Sequence, residues 1–216
     1  MAEADPFTGA FTCWALRHPE PIGHAGRCIG RTDLPVDRRK AKRLAHRIRQ
    51  HARREGLARV VHTSPLQRCA LVGRMLRSWG WRHHVHTALM EMDFGRWDWL
   101  PWASIPQSEV DAWCDDFLSA RPGGGECLGD VFARVQSWRS TMRASGHPQP
   151  CIVVAHAGWM LTAQWLFTRS DRPSQPTQWP ASPPYGACWC LSSDPPPQPA
   201  SDKPLPPPGP GRVVPV

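Results

Sequence analysis

The sequence predicts an α/β fold: a three-layer α/β/α sandwich on a mostly parallel central sheet, with a small helical cap. Three stretches carry that prediction. Residues 11–16 are mostly apolar and run straight into Arg17-His18. Residues 57–62 run into Thr63-Ser64-Pro65-Leu66-Gln67-Arg68, and residues 151–155 run into His156-Ala157-Gly158. Each run is too short for a helix and lacks a helical period, so each reads as a buried strand. Helical patterns follow the second and third, as in βαβ units. Three strands would thus deliver an arginine or a histidine to one edge of a sheet, where open α/β sheets bind ligands.

The elements follow in order. Residues 1–10 read as a loose tail, and the first strand ends in a loop where Pro19 and Pro21 forbid an immediate helix. That loop runs on, glycine-rich, to Pro35, a length often associated with function. A helix starts after Asp37 as N-cap, with Ala41, Leu44, Ala45, Ile48 and Ala52 on one face. Its other face is a run of Arg, Lys and His, expected to be a solvated surface. After the second strand comes a helix over 65–78, then His83-His84-Val85-His86. Alternation makes this a short strand with His84 and His86 on one side and His83 on the other.

The tryptophans at 97, 99, 102 and 113 suit a helical subdomain packed over the sheet edge, where they could also wall a pocket. A turn at 121–126 leads into a helix over 128–144 whose apolar face holds Val131, Val135 and Trp138. A helix over 158–167 follows the third strand, then a proline-rich connection over 171–184 and a last, edge strand over 185–191. From Ser193 onward ten prolines without apolar periodicity predict a disordered tail. The expected organisation is therefore a tail at 1–10, one domain at 11–192 and a tail at 193–216.

The formal charge is +8, almost all from arginine, since lysine occurs only at 40, 42 and 203. Arginine matches phosphate bidentately, so the excess permits phosphate chemistry, nucleic-acid binding or neither. Eight cysteines with no CxxC pair and no secretory leader read as reduced thiols of a soluble, cytoplasmic protein. No apolar run approaches the ~20 residues of a membrane span. The clustered histidines lack acidic or cysteine ligands at useful spacing, so no metal site is expected.

These residues resemble the histidine phosphatase superfamily, the phosphoglycerate-mutase-like fold. Leu16-Arg17-His18 matches its opening Arg-His-Gly motif with Pro19 in place of the glycine. Residues 63–68 are similar to its second motif, and Val154-Ala155-His156-Ala157-Gly158 to its second-histidine motif. Arg17-His18-Pro19, the loop from Cys28 to Pro35, Glu91-Met92-Asp93-Phe94-Gly95-Arg96-Trp97 and Arg121-Pro122-Gly123-Gly124-Gly125-Glu126 resemble its alpha-ribazole phosphatase-like branch. The polar residue, usually Asn, that follows the first motif in the family has no clear counterpart; Gly23 or His24 occupies that region.

The resemblance implies His18 as nucleophile, Arg17, Arg68 and His156 as holders of the phosphoryl group, and Glu91 as proton donor, with Asp93 its nearest competitor. Arg27 and Gly30 would help bind substrate. Phosphoryl transfer asks for little beyond positioning and charge stabilisation, which these residue types supply. A neutral His18 would offer one nitrogen while the other donates to a backbone carbonyl, and a protonated His156 would join the arginines around the oxygens. No cofactor is implied. The expected activity is phosphomonoester hydrolysis through phosphohistidine, with alpha-ribazole 5′-phosphate in cobalamin synthesis as leading substrate. The alternatives are a broad sugar-phosphate or nucleotide phosphatase and, from another class, an inactive phosphate-binding or interaction module. The expected partner is a small phosphomonoester, with neither nucleic acid nor membrane.

Overall fold

The computed structural model describes residues 11–146 and 150–192, so both expected tails lie outside the described residues. The strands are β1 (Thr12–Arg17), β2 (Val60–Thr63), β3 (Arg82–Val85), β4 (Cys151–Ala155) and β5 (Cys188–Ser192). They form one sheet in the order β3-β2-β4-β1-β5, parallel except for β5, which runs antiparallel to β1 at an edge. The last strand begins three residues later than expected, because Tyr185 and Gly186 form a turn ahead of it.

Among the described residues five α-helices complete the layers: α1 (Arg38–Arg54), α2 (Gln67–Ser78), α3 (Gln107–Asp115), α4 (Leu128–Ala144) and α5 (Ala157–Thr168). Helix α1 begins as the sequence predicts, with the Asp37 carboxylate accepting from the N–H groups of Arg39 and Lys40 at 2.7 and 2.9 Å. Its buried stripe is Ala41, Leu44, Ala45, Ile48 and Ala52, the five residues the 3.6-residue period selects.

Strand β4 shows how alternation builds two cores. Ile152 and Val154 face α1 and α2, joining Leu44, Ile48, Val72 and Leu76. Cys151, Val153 and Ala155 face α4 and α5, joining Val131, Val135, Trp138 and Met160. A strand buried on both faces carries no polar alternation, which is why residues 151–155 are apolar throughout. The chain after β1 crosses to the α1 layer, while the chain after neighbouring β4 enters α5 in the opposite layer. The carboxyl ends of β1 and β4 thus flank the crevice where doubly wound sheets take ligands.

The histidines of β3 divide as alternation predicts. His83 bonds the Thr63 hydroxyl at 2.8 Å and packs on Gly73, where a Cβ would lie 2.2 Å from its ring. His84 stacks on buried His62 and His86 packs tilted against it, and His62 Nδ1 and His86 Nε2 share a 2.9 Å hydrogen bond. Among the described residues, no group of three or more His, Cys, Asp or Glu could hold a metal ion, no helix is long and apolar enough to cross a membrane, and all eight cysteines are free.

Candidate active site

Three strand ends bring the expected residues together. Arg17 ends β1 and is paired in register with Ala155 at the end of β4, so His18 and His156 follow side by side. The His18 N–H donates to the Ala155 carbonyl at 3.0 Å, and the two imidazole centroids are 4.9 Å apart. His18 is 4% exposed, His156 and Arg68 no more than 1%.

The His18 ring is held by its own chain: Nδ1 lies 2.7 Å from the Pro19 carbonyl, an acceptor only. Nδ1 therefore carries the proton, and Nε2 keeps the lone pair. Burial, reinforced by the Arg68 and Arg17 charges, pushes the His18 pKa well below the ordinary histidine value. The ring is neutral across neutral pH.

Arg68 comes from the first turn of α2. It donates from Nη1 to the Thr32 carbonyl at 2.7 Å, from Nη2 to the Gly30 carbonyl at 2.6 Å, and from Nε to His156 Nδ1 at 3.3 Å. That last bond makes Nδ1 an acceptor, so the His156 proton sits on Nε2, 3.4 Å from Cys69 Sγ. Burial first and Arg68 second hold the His156 pKa well below its ordinary value. A buried imidazole beside a guanidinium cannot cheaply carry charge, which favours the neutral ring.

Gly30 stands beside Arg68. Its carbonyl steadies Arg68, its N–H donates to Asp98 at 2.8 Å, and a Cβ there would lie 2.6 Å from the Met92 carbonyl. It lies outside the cavity wall and acts on the site through Arg68. Asp98 also accepts from the Thr32 N–H at 2.7 Å, fixing both carbonyls that hold the guanidinium.

Arg17 is half-buried. Its Nη1 donates to the Pro183 carbonyl, and the Tyr185 ring lies 3.9 Å from its guanidinium carbon. Its Nε–H is buried without a partner among the described residues, a donor suited to an oxyanion. Glu91 is buried, accepting from the Met92 N–H at 3.0 Å and the Gly158 N–H at 3.2 Å. A Cβ at Gly158 would lie 2.3 Å from Glu91 Oε1, so the second-histidine motif needs its glycine for this carboxylate to approach. Asp93 is spoken for: it accepts from Arg31 at 3.1 Å and from the Gly95 N–H at 2.9 Å.

A cavity of about 350 Å³ opens over these groups. Arg17, Glu91, Ala157 and Gly158 form part of its wall, while His18, Arg68 and His156 pack behind. The wall facing away from the charges is apolar and aromatic, including Phe94, Trp102, Trp113, Phe117 and Trp179. Trp113 and Trp102 are thus pocket residues, whereas Trp97 is buried in the cap and donates to Glu109 at 2.7 Å. Arg27 lines the mouth, donating to the Trp99 carbonyl at 2.8 Å with its guanidinium over the Trp99 ring. Trp99 is the one described non-glycine residue at positive φ, 74°. Such a backbone costs roughly 1–3 kcal/mol and persists only where its surroundings enforce it, here the Trp99 N–H to Cys28 carbonyl bond of 2.7 Å and Arg27.

Sequence reasoning missed Trp179 and Ser182 of the proline-rich connection and Tyr185, read as the start of the last strand, all of which line the cavity. The only signal was two aromatic residues, Trp179 and Tyr185, close to prolines, which does not indicate where the segment packs.

The depressed histidines predict acid sensitivity. An unfolded chain protonates its histidines as pH falls through about 6.5. Folded His18 and His156 refuse the proton until much lower pH, and His83, lowered mainly by burial to about 4, behaves likewise. The unfolded state then binds more protons, so stability is lost as pH drops below about 6.5, by up to ~1.4 kcal/mol per pH unit for each of the two fully buried rings. Urea midpoints at pH 7.5, 6.5 and 5.5 should fall in that order. A midpoint that holds steady or rises would contradict the neutral buried pair.

Comparison with known proteins places this geometry. A model of the histidine phosphatase superfamily (branch 1) matches residues 13–182. A bifunctional protein of Mycobacterium tuberculosis is 34% identical over 109 residues, 49% of this chain and 29% of that protein. The chain thus spans less than a third of the length of the curated relatives it matches. The mycobacterial glucosyl-3-phosphoglycerate phosphatase superposes with a TM-score of 0.68 at 23% identity, covering 85% of this chain and 91% of that one. The alpha-ribazole phosphatase of Shigella flexneri gives 0.61 at 24% identity, covering 74% and 81%. At these identities the likeness is one of fold. With the family model spanning most of the described residues, the chain belongs to the histidine phosphatase superfamily.

Proposed function

We propose that the protein hydrolyses phosphomonoesters through a phosphohistidine on His18, and that its preferred ester is alpha-ribazole 5′-phosphate, a step of cobalamin synthesis. The observation that carries the first part is the His18 ring, neutral and locked by the Pro19 carbonyl so that Nε2 keeps its lone pair. Nε2 attacks phosphorus in line with the ester oxygen. Arg17 and Arg68 stabilise the equatorial oxygens, with charge-assisted hydrogen bonds each worth about 1.5–3 kcal/mol. His156 sits beside them, and a phosphate dianion would favour its protonated form. Glu91 protonates the departing alkoxide and then takes a proton from the water that cleaves the phosphohistidine.

The aromatic wall supports the substrate. Phe94, Trp113, Phe117 and Trp179 offer flat apolar surface to a leaving group, which suits a nucleoside with a fused aromatic base better than a polyhydroxylated sugar. A panel comparing kcat/KM for alpha-ribazole 5′-phosphate, glucose 6-phosphate, 3-phosphoglycerate and nitrophenyl phosphate tests this. The nucleoside phosphate is expected to lead both sugar-derived esters by at least about tenfold, the scale of a well-filled apolar subsite. Parity across the panel would reduce the reading to a broad phosphatase.

A further inference from the structure

The net charge of +8 is not spread over the molecule. Helix α1 carries nine of the 26 lysines and arginines and no carboxylate. The rest of the chain holds 17 cations against 18 acids, a net charge of −1. All nine side chains, seven Arg and two Lys, are exposed. Among the described residues, carboxylates come within ion-pairing distance of only two of them: Glu20 at Lys40 and Glu55 at Arg54.

Packing does not require this. The buried stripe from Ala41 to Ala52 would be served equally by mixed charges outside. Instead Arg39 and Arg43, Arg43 and Arg47, and Arg49 and Arg53 stand one turn apart, where like charges destabilise a helix. The patch continues on Arg74 and Arg77 of α2, exposed in the same layer. Near the start of α1, Lys40, Arg43 and Arg47 line a second cavity of about 360 Å³.

We propose that the outward face of α1 is a docking surface for the phosphate backbone of double-stranded nucleic acid. Charge complementarity selects this occupant. Seventeen helical residues span about 25 Å, along which a duplex presents a phosphate charge every ~1.7 Å. Arginine, which dominates here, meets phosphate oxygens with a planar fork of donors. A single strand would need stacking platforms. Of the rings beside the helix, Trp14 packs on His51 and Trp79 is engaged by Arg49 and His46. Charge alone can draw a basic face to an anionic membrane, but firmer seating takes an apolar face to insert, and that of α1 is buried in the core. Binding here is independent of base sequence and of the esterase reaction, whose residues lie at the strand ends. The face first read as a solvated surface thus gains a ligand.

The test uses the full chain and a fluorescein-labelled DNA duplex of about 20 base pairs, titrated by anisotropy from 50 to 200 mM salt. Log K should fall linearly with log salt, each phosphate contact adding ~0.9 to the slope. The variant Arg39→Gln/Arg43→Gln/Arg53→Gln keeps helix propensity. Its slope should drop by about 2–3 and its affinity at 50 mM salt by at least about tenfold, with nitrophenyl phosphatase activity unchanged as evidence of folding. The control Arg169→Gln/Arg172→Gln should leave the slope as it was. Absence of duplex binding overturns the proposal. So does an equal loss per charge in both variants, or capture by phosphatidylserine vesicles without duplex binding.

Discussion

Replacing His18 with alanine is expected to lower kcat for nitrophenyl phosphate by at least about 10³-fold and to abolish the acid-labile phosphoenzyme trapped by rapid quenching. No neighbour can take over the attack. His156 has its Nδ1 lone pair committed to Arg68 and its Nε2–H against Cys69. Cys69 is buried, and its thiol is pushed up mainly by that burial, so a thiolate nucleophile is disfavoured. The substitution removes a neutral ring whose side chain hydrogen-bonds the adjacent Pro19 carbonyl, a contact within its own loop, so the fold should survive. A folded His18→Ala protein that retains turnover, or a phosphoenzyme that still forms, would reject the nucleophile.

Glu91→Gln is expected to separate leaving groups. An alkoxide leaves poorly without a proton, whereas nitrophenolate leaves readily. Alkyl esters should therefore lose about 10²–10⁴-fold in kcat/KM, the usual range for general acid catalysis, and nitrophenyl phosphate far less. The substitution keeps the side chain's size, and one oxygen can still accept from the Met92 N–H that aims it. Equal losses for both esters would mean that Glu91 orders the site without giving a proton. Asp93 offers no substitute, since Arg31 and the Gly95 N–H hold its carboxylate away from the chemistry.

Much of this was legible from local pattern. The 3.6-residue period selected all five buried residues of α1, and alternation assigned His83 and His84 to opposite faces of β3. Both work because a helix or strand repeats its geometry whatever it packs against. The order of motifs was enough to name Arg17, His18, Arg68, Glu91 and His156, and the fold brings them to one crevice; their roles await the experiments above.

Other features depend on partners that no local pattern encodes. The Gly30 carbonyl accepts from Arg68, a contact no local pattern shows because the guanidinium arrives from 38 residues further along the chain. Four tryptophans of the cap looked equivalent, yet Trp97 fills a core while Trp113 walls the cavity. Tyr185, set over Arg17, was read as the start of the last strand, because no local pattern shows the turn that places its ring there.

The sequence by itself determined the strands, the helix faces and the identity of the charged residues at the strand ends, since these follow from periodicity and residue chemistry. Only the tertiary structure decided the tautomer of His18, the neutrality of His156, the engagement of Arg68 and the aromatic lining of the cavity. A proton's position and a ring's charge depend on burial and on neighbours distant in sequence, and these exist only once the chain has closed around them.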